Sequence, residues 1–379
     1  METRIEVGKL YTPWSTLEKV TIVIENGVVK RIAMGWIGGE NYRSYIAVPG
    51  FVDTHVHGIE GVELYRGRSS DLEKAARSFV KYGVTTFIPT SVTLPHDETI
   101  EFLQSVKHLC ENPVDGGARV GGAYLEGPFI NPEAKGAQNP EFIRAPSIEE
   151  FREFLRAGAP HLKVIALAPE LEGAMSLIAF ARKSGVHVAA GHTKASYEVG
   201  LEAIANGLDR ATHVFNAMTR FHHREPGIAI ALLESERVYV EVIADLIHLH
   251  PATIKLVYRV AGPKRMTLVT DAISAAGLSD GVYELGGLKV IVEKGVARLE
   301  SGALAGSTLT MDRAVRNCVS IGIPLAHAIA SATETPAKSI DLDRVGCLEP
   351  GCLADIAILD QDLRVVATIV GGVEVFRRC

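Results

Sequence analysis

Eight short apolar runs punctuate the middle of the chain: PGFVDTHVH, GVTTFIPT, VGGAYLEGP, HLKVIALAPE, VHVAAGHT, RATHVFNAM, VYVEVIADLIH and MTLVTDA. Between most of them lie amphipathic stretches of helical length, such as SSDLEKAARSFVKYG, HDETIEFLQSVKHLC, PELEGAMSLIAFARKSG and SYEVGLEAIANG. The first of these stretches is expected to be capped by Ser70-Asp71 and to end at Gly83. Continuous apolar strands suit a parallel sheet covered on both faces. Eight of them with helical crossovers predict a (β/α)8 TIM-like barrel over residues 49–340. A doubly wound open sheet is the competing architecture.

The two ends read differently from the middle. KVTIVIENGVVKRIA is two β-rich runs joined through Asn26-Gly27, and ADIAILDQDLRVVATIVGGVEVFRR gives short strands around Gly371-Gly372. Residues 1–48 and 341–379 are therefore expected to pair into one small β-domain beside the barrel. The chain shows no internal repeat and no low-complexity segment.

With 47% hydrophobic and 22% charged residues in 379, a sizeable core is available and disorder is not expected. A net charge of −6, without any basic block, argues against nucleic acid or an anionic membrane as partner. The five cysteines (Cys110, Cys318, Cys347, Cys352, Cys379) are scattered and lack a CxxC, so they are read as reduced thiols. No apolar leader opens METRIEVGKLYTPW and no apolar run approaches membrane-spanning length, so a cytoplasmic protein is expected.

In a barrel, function sits where the strands end. Those ends carry His55 and His57 on the first strand, Glu126 on the third and His192 on the fifth, then His213 on the sixth and Asp271 on the eighth. Any one of them alone reads as a satisfied strand-end polar residue. Six of ligand or acid-base type converging on one mouth point instead to a divalent metal, Zn or Fe, with room for a bound water. IADLIHLH offers a second His-x-His, His248 and His250, which spacing alone does not rank below the first. Asp53 shares a strand face with His55, as a support for it or as a strand-start cap. His222 and His223 read as loop residues.

The stretches PGFVDTHVHG, YLEGPFINPEAKGAQNP, AGHTKA, THVFNAM, HHREPG, IADLIHLH, VTDAISAAG, GALAGSTLTM and GCLEPGCLADIAILD, in this order, resemble the N-acetylglucosamine-6-phosphate deacetylases of the amidohydrolase superfamily. The resemblance runs over essentially the whole length. It implies that Glu126, His192 and His213 are the main metal ligands and that His55 and His57 are the pair some members use for a second ion. One or two ions per subunit are thus expected. Asp271 matches the catalytic acid-base. Arg224 and His248 match sugar-phosphate contacts, and Ala137, Gln138, Asn216, Ala217, Leu304, Ala305 and Gly306 fall in the substrate site. His250 then takes no part. The resemblance also implies a homodimer in which Arg224 reaches the neighbouring subunit's substrate phosphate. Two positions depart from the family pattern. Gln138 stands where the family usually has a histidine set on the acetamide carbonyl, and Leu246 where it usually has glycine.

The chemistry makes sense on its own terms. Amide hydrolysis needs an activated water, a polarised carbonyl and a proton for the leaving amine, which a metal and a carboxylate together supply. An arginine suits a phosphate through its planar, always-charged fork, and the lesser alternative for Arg224 is a solvated turn arginine beside Pro226-Gly227. The expected substrate is an amino-sugar phosphate. Rivals are the galactosamine epimer or another N-acetylated amino sugar, a cyclic-amide hydrolase, and a non-catalytic protein on the same scaffold. Cyclic-amide hydrolases often use a carbamylated lysine where this chain has Glu126.

Overall fold

The computed structural model describes residues 2–12, 14–66 and 68–378. Phe51–Val56, Val84–Ser91, Ala123–Glu126, Leu162–Leu167, His187–Ala190, Arg210–Ala211, Tyr239–Ile243 and Met266–Val269 pair in parallel in that order. All eight lie on the apolar runs of the sequence. Every residue of the first, second and third is buried, as strands covered on both faces must be. Strict chain order excludes the doubly wound alternative, whose order reverses at a switch point.

The seam between the eighth strand and the first is held by specific groups. Asp271 N–H donates to the His55 carbonyl at 2.9 Å. The Asp53 carboxylate accepts from the Thr270 hydroxyl at 2.6 Å and from its N–H at 3.3 Å. Asp53 also accepts from His55 N–H at 3.4 Å, so it ties the seam rather than merely opening a strand.

Helices fill the crossovers, among them Ser69–Phe79, His96–Glu111, Ala174–Lys183 and Tyr197–Ala205. Ser196 caps the last of these through Val199 N–H. The expected cap at Ser70-Asp71 is corrected: Arg68 holds the N-cap position without a side-chain bond. Ser70 and Asp71 lie inside the first turn, where the Asp71 charge favours the helix dipole instead. Gly83 does end the segment, with φ of 77°.

The chain ends share one seven-stranded sheet. Glu2–Tyr11, Thr16–Glu25, Val28–Met34 and Glu40–Pro49 come from the first part, Ile356–Leu359, Val365–Val370 and Val373–Arg377 from the last. The parts meet where Glu40–Pro49 pairs antiparallel with Ile356–Leu359. Asn26-Gly27 and Gly371-Gly372 all have positive φ, as two-residue hairpin turns matching strand twist require. A further antiparallel sheet, Gly281–Leu285, Leu288–Glu293 and Val296–Leu299, follows the eighth barrel strand and was not anticipated.

The reading of all cysteines as reduced is also corrected, because Cys347 and Cys352 form a disulfide. A turn at Glu349–Cys352, with Gly346 and Gly351 at positive φ, folds the segment back on itself and brings the two sulfurs together. Cys110 and Cys318 are free thiols, and Cys379 lies outside the described residues. No helix among the described residues is long and apolar enough to cross a membrane.

Gly58, directly after the first histidine pair, sits where backbones nearly touch. A Cβ there would lie 2.4 Å from Ser274 N and 2.5 Å from Val62 O. Neither backbone atom can swing aside as a side chain would. Gly58→Ala is therefore expected to destabilise the fold by about 1–3 kcal/mol. A denaturation midpoint equal to wild type would refute this close-packing account.

Candidate active site

The third strand ends in Glu126, whose Oε1 faces His192 Nε2 at 3.2 Å and His213 Nε2 at 3.0 Å. These two histidines stand at the ends of strands five and six. The first strand contributes His55 and His57, whose Nε2 atoms are 3.3 Å apart, and Asp271 Oδ1 lies 3.1 Å from His57 Nε2. Two donor sets result, His55/His57/Asp271 and Glu126/His192/His213, all buried, each with its ligand atoms within 4.8 Å of one another. The six strand-end residues read from the sequence thus do converge.

Each ring is held from behind. His55 Nδ1 meets the Glu241 carboxylate at 2.9 Å, His57 Nδ1 meets the Thr90 carbonyl at 3.1 Å, and His192 Nδ1 meets the Ala134 carbonyl at 2.9 Å. With Nδ1 carrying the proton, each Nε2 lone pair is free to face the cluster. His213 Nδ1 has no partner among the described residues, and its ring packs edge-on against His192 at 5.0 Å between centroids. His192, His213 and Asp271 all adopt positive φ, an uncommon backbone for residues with a Cβ that is found where function holds strain.

Electrostatics at the site favour a cation. Burial alone would raise the Glu126 carboxyl, but the imidazoles of His55 and His192 outweigh it and hold it well below its usual range. Burial would raise Asp271 too, and its hydrogen bond with His57 reverses the direction. His57, although buried, is raised to about 9 by its hydrogen bonds with Asp271 and Glu126. A field that retains a proton on a buried imidazole also favours a divalent ion. Imidazole and carboxylate donors at this spacing fit such an ion.

Above the donors opens a cavity of about 560 Å³. Its lining includes Ala137, Gln138, Asn216, Ala217, His248, Asp271, Leu304 and Gly306. Ala305 is buried and lies outside that lining. Arg224 is exposed, with its guanidinium 2.8 Å from His223 Nε2, and it too lies outside the lining. His222 and His223 are exposed loop residues, their rings 4.3 Å apart. His250 caps the helix Pro251–Ala261 by accepting from Ala252 N–H. Leu246 has φ of 67°, so a glycine's conformational freedom is what this position calls for, and it does not line the cavity.

Several residues escaped the sequence reading. Lys135 lines the cavity from the loop that also carries Gln138. Asp245 holds His248: its Oδ2 meets Nδ1 at 2.7 Å while its Oδ1 accepts from the N–H groups of Ile247 and His248. Burial opposes a charge on His248, but Asp245 outweighs it and raises its pKa. Beneath the cluster Arg210 and Glu241 are paired at 3.0 Å, both fully buried. A charged residue in the middle of the apolar run VYVEVIAD was the available signal.

The amidohydrolase family model matches residues 46–375. An N-acetylgalactosamine-6-phosphate deacetylase of Escherichia coli O157:H7 is 38% identical over 97% of this chain and 98% of its own. An N-acetylglucosamine-6-phosphate deacetylase of Vibrio furnissii is 37% identical over 95% of this chain and 91% of its own. A mutant N-acetyl-D-glucosamine-6-phosphate deacetylase from Mycobacterium smegmatis, solved with N-acetyl-D-glucosamine-6-phosphate, superposes with a TM-score of 0.94 at 33% identity, covering 99% of each chain.

If Glu126, His192 and His213 hold the principal ion, Glu126→Gln should lower bound metal by at least ~10-fold, because a neutral amide is a far poorer ligand than a carboxylate. Elemental analysis after dialysis checks this. Undiminished metal content would remove Glu126 from the ligand set.

Proposed function

Because the chain belongs to the amidohydrolase family, we propose that it removes the acetyl group from N-acetylglucosamine 6-phosphate, giving glucosamine 6-phosphate and acetate. The observation that carries this reading is the meeting of both donor sets, Asp271 among them, at the floor of one sugar-sized cavity. The relatives' named substrates support the amino-sugar phosphate. The galactosamine epimer is the second reading, favoured by the relative at 38% identity.

Glu126, His192 and His213 would hold one divalent ion, Zn or Fe, and His55, His57 and Asp271 a second. Such an ion lowers the pKa of water toward ~7 and polarises a carbonyl oxygen. Asp271 lines the cavity as a carboxylate, so it accepts the proton of the attacking water and delivers it to the leaving nitrogen. His57 Nε2 lies 3.1 Å from Asp271 Oδ1, close enough for the two to share that second ion. His248, fixed by Asp245, presents its Nε2 side to the sugar phosphate, and Asn216 and Ala217 shape the wall. Leu304, Ala305 and Gly306 form the substrate loop, with Ala305 as its buried anchor.

Arg224 stands outside the cavity of its own subunit, which supports a homodimer in which it reaches the neighbour's phosphate. A phosphorylated substrate, which its charge confines, suits a cytoplasmic setting. We divide the chain into the barrel, 49–340, and one small β-domain, 1–48 with 341–379.

Acetate release across N-acetylated amino sugars and their 6-phosphates tests the reading. No release from any of them by metal-loaded protein would refute it, and preference for the galactosamine epimer would exchange the substrate. Asp271→Asn should lower kcat by at least ~10² while the metal at Glu126 stays bound. Near-normal turnover would move the acid-base role elsewhere. Arg224→Ala and Asp271→Asn proteins, each nearly inactive alone, should on subunit exchange regain up to about a quarter of wild-type activity, because each mixed dimer holds one intact composite site. No recovery despite proven exchange would place Arg224 outside the neighbour's site.

A further inference from the structure

The fourth barrel strand, Leu162–Leu167, supplies no donor to either set, yet its run in the sequence ends in a carboxylate, Glu170. Glu170 stands outside the cavity lining and touches two other loops. Its Oε1 accepts from the Asn131 side-chain amide at 2.8 Å and from Lys194 N–H at 2.6 Å. Its Oε2 accepts from the Thr193 hydroxyl at 2.5 Å. An ionised carboxylate only accepts, so this one group satisfies three donors at once.

Those donors lie on the two sides of the hold on His192. The ring is fixed by the Ala134 carbonyl, as described above, and that carbonyl ends the short turn Pro132–Ala134. Asn131 caps the turn, its Oδ1 accepting from Glu133 N–H at 2.9 Å. With Nδ2 on Glu170 and Oδ1 on Glu133, the Asn131 amide is oriented from both ends. Thr193 and Lys194 directly follow His192 in the chain. The backbones of the two segments meet where Asn131 N–H donates to the His192 carbonyl at 2.9 Å. One such bond is a hinge, and the carboxylate adds the second point that fixes the angle about it.

We propose that Glu170 is a positioning residue for His192. It braces the turn that carries the Ala134 carbonyl against the segment that carries the ring, so that Nε2 stays aimed at the ion. This inference rests on the metal reading above and adds a group, remote from the ion, that sets its affinity.

Zinc titration of metal-free protein against a chromophoric chelator, without substrate, tests it. Glu170→Ala removes every acceptor, and the first equivalent should bind about 10-fold more weakly, as for loss of an outer partner of a ligand. Glu170→Gln keeps an oxygen for Asn131 and Lys194 and should recover most of that loss. Asn131→Ala cuts the arm to the turn and should weaken zinc in the same direction. Thermal melts of the metal-free proteins measure any general loss of stability, which alone would leave the affinity of folded molecules unmoved. Unchanged affinity in folded Glu170→Ala overturns this proposal alone. If that variant does not fold, unchanged affinity in Asn131→Ala does so. A glutamine variant as weak as the alanine one also overturns it, because charge rather than bracing would then be at work. Absence of stoichiometric zinc uptake by wild type overturns it together with the metal reading.

Discussion

A parallel sheet becomes a barrel only if its last strand returns to its first, and the site depends on that closure. The bond from Asp271 N–H to the His55 carbonyl is a backbone link across the seam, yet it joins two residues whose side chains serve the same donor set. In an open sheet of eight strands in this order, the first and last would lie at opposite edges. Asp53 locks the same seam with a carboxylate raised to about 7 by burial, an effect its hydrogen bonds with Thr270 and His55 only partly offset. The closure that completes the barrel thus also assembles the candidate acid-base with the histidine pair.

Charge balance follows from that geometry. Glu126, Asp271 and Glu241 are buried and held below their usual pKa, while Arg210 is, among the described residues, the one guanidinium buried with them. Three carboxylates against one fixed cation leave a deficit of two positive charges in a medium that penalises unbalanced charge heavily. Against that deficit, His55 and His57 are both raised in pKa despite their burial, by the carboxylates around them. A divalent ion would make it up without protonating a ligand. Arg210 and Glu241 set the balance from below, and Glu241 fixes the tautomer of His55 while doing so.

The barrel was legible because burial on both faces forces eight unbroken apolar runs, and a polar residue ending such a run needs a reason. The same logic exposed His55, His57, Glu126, His192, His213 and Asp271. It missed Glu241 and Arg210 because their partners lie across strands and are far apart in sequence. It missed Asp245 because an aspartate at a strand exit reads equally well as a turn residue. The Cys347–Cys352 disulfide depends on a glycine-assisted turn rather than on a known spacing, and Arg224 lies on a loop that no periodicity positions.

Backbone strain marks the boundary between rigid strands and working loops. His192, His213, Asp271 and Leu246 all leave their strands with positive φ, at a cost of order 1–3 kcal/mol each for residues other than glycine. Leu246 shows how such a conformation is sustained. On one side of it the Asp245 carboxylate accepts the next two backbone N–H groups, and its own side chain packs against the main core. The turn is over-determined, so a glycine is dispensable where its freedom would be the easier solution. The same two hydrogen bonds and the Asp245–His248 contact come from one carboxylate, so the group that sustains the strain also aims the histidine into the cavity. The strain therefore falls on three of the donor residues themselves, just past their strand ends, and on Leu246 beside the histidine that Asp245 aims.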